Sequence, residues 1–139
     1  MIILFWLYLC RKNCYDMIKS LFIVGIGSFF GGVLRYYLST LIKVAYINGF
    51  PWGTLIVNLL GCFVFGVIFA LFNRWNSVES SFFLLLTTGF CGGFTTFSTF
   101  AHESIQMVQT GSYIAFFSYV TISVIVGLTL VGVGYWIVK

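Results

Sequence analysis

Apolar residues fall in four long blocks separated by short polar stretches. The blocks run from about Ser20 to Ile42, Gly53 to Phe72, Ser81 to Val108 and Tyr113 to Val138. A helix needs about 20 apolar residues to cross the hydrocarbon core of a bilayer, so each block is long enough to span. Helix-breaking or polar residues mark the gaps. Lys43, Asn48, Gly49 and Pro51 fill the first, Arg74, Asn76, Ser77 and Glu79 the second, and the uncharged Thr110-Gly111-Ser112 the third. Tyr135 and Trp136 stand where an interfacial aromatic belt belongs, and Lys139 ends the chain. The pattern predicts an all-α integral membrane protein with four transmembrane helices.

The segment before the first block reads differently. MIILFWLYLC, residues 1–10, is apolar but too short to span, and RKNCYDMIK follows it. A secretory signal places its charges first and its apolar stretch second, the reverse of this order. Met17 offers a second start. Residues 1–16 are therefore expected to be an extension, either an upstream mis-called start or a short interfacial helix, and 17–139 the four-helix domain.

Small and polar residues inside the blocks carry more information. Gly27 and Gly31 form a GxxxG step, with Ser28 and Gly32 parallel to it. Such faces let helix backbones approach closely in lipid. Thr54, Asn58 and Cys62 share a face of the second helix; Tyr119, Ser123 and Gly127 share one of the fourth. The third block holds TTGFCGGFTTFSTF, Thr87 to Phe100, with glycines beside a cluster of hydroxyls. That composition at bilayer depth predicts a broken third helix, tolerated only where protein or a polar cavity covers the open backbone. Asn58 reads equally as cavity lining or as a helix–helix hydrogen bond. Phe97 and Phe100, three apart, share a face and read as packing by composition. Arg35 and Glu103 are ionisable residues near or inside spans, which marks function unless both snorkel to the interface.

Composition agrees with the pattern. Of 139 residues, 60% are apolar and 7% charged, against about 25% charged in a soluble domain. Four spans leave no room for a soluble lobe, and so small a bundle cannot enclose a wide pore alone, which points to self-association. The net charge of +4 comes from seven Lys/Arg and three Asp/Glu. The only adjacent basic pair, Arg11-Lys12, is no nucleic-acid footprint. Cys10, Cys14, Cys62 and Cys91 lack the grouping of a zinc site and read as small apolar side chains. Ser98 and His102 lie one turn apart with no acid placed to orient the ring, so a hydrolase reading fails on geometry.

The strings GGVLRY (Gly31 to Tyr36), GTLIVNLLGCFVFG (Gly53 to Gly66) and GFCGGFTTFSTF (Gly89 to Phe100) resemble the Fluc fluoride channels, also called the CrcB family. The resemblance runs from about Ile18 to the C-terminus, with the motifs in order. It implies an antiparallel, dual-topology dimer in the cell membrane, with two fluoride pathways and one structural, untransported sodium ion at its centre. By motif, the carbonyls of Gly92 and Thr95 hold the sodium. Phe97 and Phe100 line the pathways, Asn58 and Thr54 of the second-helix motif lie along them, and Arg35 is the vestibule cation. Glu103 sits near one pore end, and Tyr119 and Ser123 continue a hydroxyl track on the fourth helix. Gly127 departs from it, since some members carry a hydroxyl there; water or Thr121 could substitute. The implied function is passive fluoride export that lowers fluoride toxicity. The chemistry is consistent: a small, strongly hydrated anion needs hydroxyl, amide and ring-edge donors in place of water, without a full charge to trap it.

Other classes fit less well. A small dual-topology multidrug exporter needs a membrane-embedded acid in the first span, and no Asp or Glu lies between Ser20 and Ile42. A purely structural subunit would not need hydroxyls at bilayer depth. Lys19, Arg74 and Lys139 fall on one side of the membrane and Arg35 and Lys43 on the other. A difference of one charge is too small to fix orientation, as an antiparallel homodimer requires. Adding Arg11 and Lys12 favours one orientation, so a chain starting at Met1 is expected to need an oppositely oriented sister chain.

Overall fold

The computed structural model describes the backbone of residues 2–45 and 49–139, with side chains from Tyr15 to Ile42 and from Gly49 onward. Asn48 and the side chains of Cys10, Arg11, Lys12, Cys14 and Lys43 lie outside the described residues. All regular structure among the described residues is helical. In order it comprises α1 (Ile2–Ala45), α2 (Trp52–Arg74), α3 (Ser81–Leu84), a π-helical turn (Leu85–Cys91), α4 (Gly92–Phe94), α5 (Phe97–Gln109) and α6 (Tyr113–Val138). Four stretches are long and apolar enough to cross a membrane: Tyr15–Ile42, Trp52–Arg74, Ser81–Gln109 and Tyr113–Val138.

The stretch before Met17 continues into the first span as one helix, not as a separate interfacial one. At 1.5 Å per residue α1 measures about 66 Å, roughly twice the hydrocarbon thickness. It also passes the expected end at Ile42 and reaches Ala45.

The spans pack as two parallel pairs. A Cβ placed on Gly27 would stand 2.8 Å from Gly89 Cα, and one on Gly31 would run into the Phe90 carbonyl oxygen. The GxxxG face of α1 thus lies against the third span, and residue numbers rise together along both. In the second pair, Leu55 packs with Tyr119, Gly127 faces Cys62 and Leu59, and Gly134 faces Phe63 and Val67. Here α2 and α6 run in the same direction. Adjacent spans therefore alternate in direction, and Gly53 against Ser39 joins α2 to α1.

Two glycines of α6 separate packing from propensity. A Cβ on Gly134 would lie 2.5 Å from the Phe63 carbonyl oxygen, whereas one on Gly132 meets nothing within 4 Å. Overpacking a close contact costs about 1–3 kcal/mol. Gly134→Ala is accordingly expected to lower the thermal midpoint in detergent, and Gly132→Ala to leave it unchanged or raise it. Equal midpoints would remove the close α2–α6 approach.

Outside these seams the surface is apolar. Phe22, Phe29, Ile114 and Leu128 are exposed, the arrangement expected where lipid or another copy supplies the covering.

Candidate functional site

The site forms where the third span loses its regular hydrogen bonding. α4 ends at Phe94; Thr95 (φ −89°, ψ 153°) and Thr96 (φ −142°, ψ 119°) are extended; α5 begins at Phe97. The Thr95 N–H still donates to the Cys91 carbonyl at 2.9 Å. The next donors are rerouted to side chains. Thr96 N–H, which a continuous helix would send to the Gly92 carbonyl, donates to Asn58 Oδ1 at 2.8 Å. Thr99 N–H, which would reach Thr95, donates to Thr96 Oγ1 at 3.3 Å and caps α5. The carbonyls of Gly92 and Thr95 thereby lose their usual helical donors. Between them, the Gly93 carbonyl accepts a long 3.4 Å bond from Arg35 Nε.

Asn58 holds this interruption from α2. Its Nδ2 donates to the Thr96 carbonyl at 3.1 Å while its Oδ1 takes the Thr96 N–H, so one amide closes both groups of one residue. An amide NH₂ has two hydrogens, so Thr96 uses half of its donor capacity. Asn58 is thus a fastener of open backbone, and the face it shares with Thr54 and Cys62 points toward the third span and α6.

One turn away, Thr54, Glu103 and Tyr119 meet. Thr54 Oγ1 donates to Glu103 Oε1 and Tyr119 Oη to Oε2, each at 2.8 Å. Tyr119 is fully buried and Thr54 nearly so. Hydrogen bonds to a charged group are worth about 1.5–3 kcal/mol each, which is how a carboxylate is tolerated here. Both Glu103 oxygens are thus engaged by hydroxyls of the same protomer.

Phe100 packs on Tyr119 with centroids 5.0 Å apart, and Phe97 on Phe100 at 5.7 Å. The two phenylalanines do share a face, but unequally: Phe100 is half-buried and Phe97 is 79% exposed. Ser123 Oγ is buried with no hydrogen-bond partner. Arg35 stands apart from Thr54, Glu103 and Tyr119, bonded instead to the Gly93 carbonyl on the α1 side of the third span. His102 is exposed.

Sequence reasoning missed two participants. Thr96 is the junction, its backbone held by Asn58 and its hydroxyl bonded to Thr99 Oγ1 at 3.0 Å as well as capping α5. The available signal was a threonine three residues before another polar hydroxyl, an N-cap spacing. The π-helical turn gave no sequence signal.

Among the described residues no group of three His, Cys, Asp or Glu is placed to hold a metal. Backbone oxygens are the alternative, and the carbonyls of Gly92 and Thr95 fit a hard cation in kind. They fit poorly in number, since such a cation takes about six oxygens and one chain offers two.

Comparison with known proteins identifies the family. The family model described as CrcB-like protein, Camphor Resistance (CrcB), matches residues 22–135. A protein from Phocaeicola vulgatus named fluoride-specific ion channel FluC is 45% identical over 118 residues, covering 85% of this chain and 97% of the relative. A protein of the same name from Leptospira interrogans (serovar copenhageni) is 41% identical over 121 residues, covering 87% and 95%. Another from Methanococcus aeolicus is 39% identical over 117 residues, covering 84% and 92%. The family match over residues 22–135 takes in the positions from Arg35 to Ser123, and with relatives 39–45% identical over most of their length this chain belongs to the CrcB family.

Proposed function

We propose that this chain is a passive, fluoride-selective channel of the cell membrane, working as an antiparallel dimer around a structural sodium ion. The fluoride assignment follows the names of the relatives and the uncharged donors of the site. The single observation that carries it is the layout around Phe97: an exposed ring beside the α5 N-terminus, flanked by hydroxyls and by an asparagine amide with an unspent N–H. Ring edges and N–H or O–H donors attract an anion without fixing it, as conduction requires. A negative-inside potential then drives the anion out, by about 2.3 kcal/mol per charge per 100 mV. An ion channel is not an enzyme, and no residue here is assigned a catalytic role.

Two features support the dimer. Gly92 is exposed, has an ordinary helical φ of −63°, and a Cβ there would meet only the Thr87 carbonyl oxygen at 3.9 Å. Nothing within the protomer requires glycine at 92; a second copy crossing at that point would. The same copy supplies two further carbonyls for sodium and covers Phe97. An oppositely oriented identical chain fits the balanced flanking charges, and a sister chain serves if residues 1–16 bias insertion. The exporter alternative is weaker, because the half-buried acid Glu103 already accepts a hydroxyl on each oxygen.

The test is efflux from liposomes loaded with fluoride or chloride. Fluoride is expected to leave through the reconstituted protein and chloride to stay. Retention of both anions, or loss of both, overturns the reading. In the same preparation, replacing sodium by a large organic cation should lower the thermal midpoint of the dimer. Indifference to sodium removes the structural ion and leaves the channel.

A further inference from the structure

The two sides of α5 differ in kind. Ser104 and Met107 are buried and Phe100 is half-buried on one side. Ser98, His102 and Gln106, spaced by four, share the opposite side and are all exposed. This polar stripe falls inside Ser81–Gln109, a stretch long and apolar enough to cross a membrane. An imidazole and an amide turned toward hydrocarbon are costly, so the stripe calls for a polar covering. Its first member adjoins the exposed ring. Ser98 follows Phe97, which is 79% exposed, and Ser98 Oγ lies 3.4 Å from Thr96 Oγ1. His102 stands about 7.5 Å further along the axis, and α5 ends at Gln109. The stripe thus leads from the ring to the end of the span. Beside His102, the half-buried Glu103 accepts hydroxyls from Thr54 and Tyr119. An anion that leaves Phe97 by this end passes that carboxylate, and a cation next to it offsets the repulsion.

We propose that Ser98, His102 and Gln106 form the wet wall of one mouth of the fluoride route, and that protonated His102 draws the anion into it, so that flux rises as pH falls. The proposal rests on the fluoride-channel reading. Continuity with the exposed ring, and the donors of the stripe itself, favour water and the anion as occupants over lipid. Histidine is the side chain that ordinarily gains charge between pH 8 and 5, and a gained positive charge attracts an anion. The elements packed on α5 are α2 and α6. Their ionisable groups at this end are the Tyr119 phenol, bonded to Glu103, and the exposed Tyr113 at the start of α6. α2 carries Cys62 in mid-span and Arg74 at its far end. Glu103 is the neighbouring carboxylate on α5 itself, and the first test separates its titration from that of His102.

The first test is fluoride efflux from liposomes at pH 8 and pH 5.5, with the leak of protein-free vesicles subtracted at each pH. The parent is expected to run about threefold faster at the lower pH, the effect of one charge about 8 Å from the route in watery surroundings. His102→Gln, an exposed polar exchange, should lose that increase. A parent indifferent to pH, or an increase that persists in His102→Gln and so belongs to Glu103, overturns the proposal. The second test reads what covers the stripe. His102→Cys, Gln106→Cys and Val108→Cys are each treated in liposomes with a membrane-impermeant methanethiosulfonate on both sides, against the parent as background. Val108 is 40% exposed and nearer the helix end than His102, but lies about 120° round the helix from it. Labelling at 102 and 106 is expected to be at least tenfold faster than at 108. A cationic adduct on His102→Cys should then speed fluoride efflux and an anionic one slow it. Labelling that follows only distance from the helix end overturns the proposal. So does protection of 102 and 106, as a second copy or lipid on the stripe would give, or the same effect from both adducts. A parent that carries no fluoride at either pH sinks the channel reading itself, which separates the two failures.

Discussion

Asn58→Leu is expected to abolish fluoride efflux and to lower the thermal midpoint more than any other single change at the site. The amide closes both the N–H and the carbonyl of Thr96, at 2.8 and 3.1 Å. Leucine is similar in bulk but leaves the Thr96 N–H with no partner and takes one of two bonds from the Thr96 carbonyl, the N-cap oxygen of α5. The orphaned N–H alone costs about 1–3 kcal/mol. It falls where the third span has no helical hydrogen bonds of its own to fall back on. Asn58→Asp should be intermediate, because the carboxylate still accepts the Thr96 N–H but no longer donates to the carbonyl. Thermal unfolding in detergent and efflux from liposomes, run on the same preparations, decide the matter. Parental values for the leucine variant would show that Asn58 does not hold the break.

The second large effect concerns the ring pair. Phe97→Ile and Phe100→Ile are each expected to cut efflux about tenfold or more, which corresponds to about 1.4 kcal/mol on the barrier. Isoleucine keeps apolar bulk and removes the electropositive ring edge. The two variants should differ in stability. Phe100 packs on Tyr119, whose hydroxyl is bonded to Glu103, so losing that ring also disturbs the carboxylate. Phe97 has little packing to lose within the protomer. Phe100→Ile should therefore lower the thermal midpoint more than Phe97→Ile. Full efflux in both variants would refute the ring-edge role.

The second and fourth spans were legible because unbroken apolar runs of sufficient length have few alternatives to a helix. Their observed limits, Trp52–Arg74 and Tyr113–Val138, lie within two residues of those expected. The third span was legible in composition and misleading in detail. Its glycines mark the region, yet Gly92 and Gly93 remain helical, and the extended residues are the β-branched Thr95 and Thr96. Gly93 serves close packing, since a Cβ there would lie 2.6 Å from the Ser28 carbonyl oxygen. Asn58 could not be assigned from spacing, because its partner is main chain on another span. Arg35 and Glu103 look alike in sequence, as charges near bilayer depth. The fold separates them, giving one a backbone carbonyl and the other two hydroxyls.

Thr96 is tied on every side: N–H and carbonyl to Asn58, and hydroxyl to both the N–H and the Oγ1 of Thr99. An unwound stretch is commonly pictured as a hinge, and this one is riveted instead. Bending the third span here would break several bonds at once. These bonds fix the junction to α2 and to the start of α5. On the proposed channel reading, a route past Phe97 would then lack a hinge at this level, and flow would follow the concentration difference and the membrane voltage, as suits a relief valve. The Thr96 amide, although outside any helix, should exchange its hydrogen as slowly as the helical amides around it.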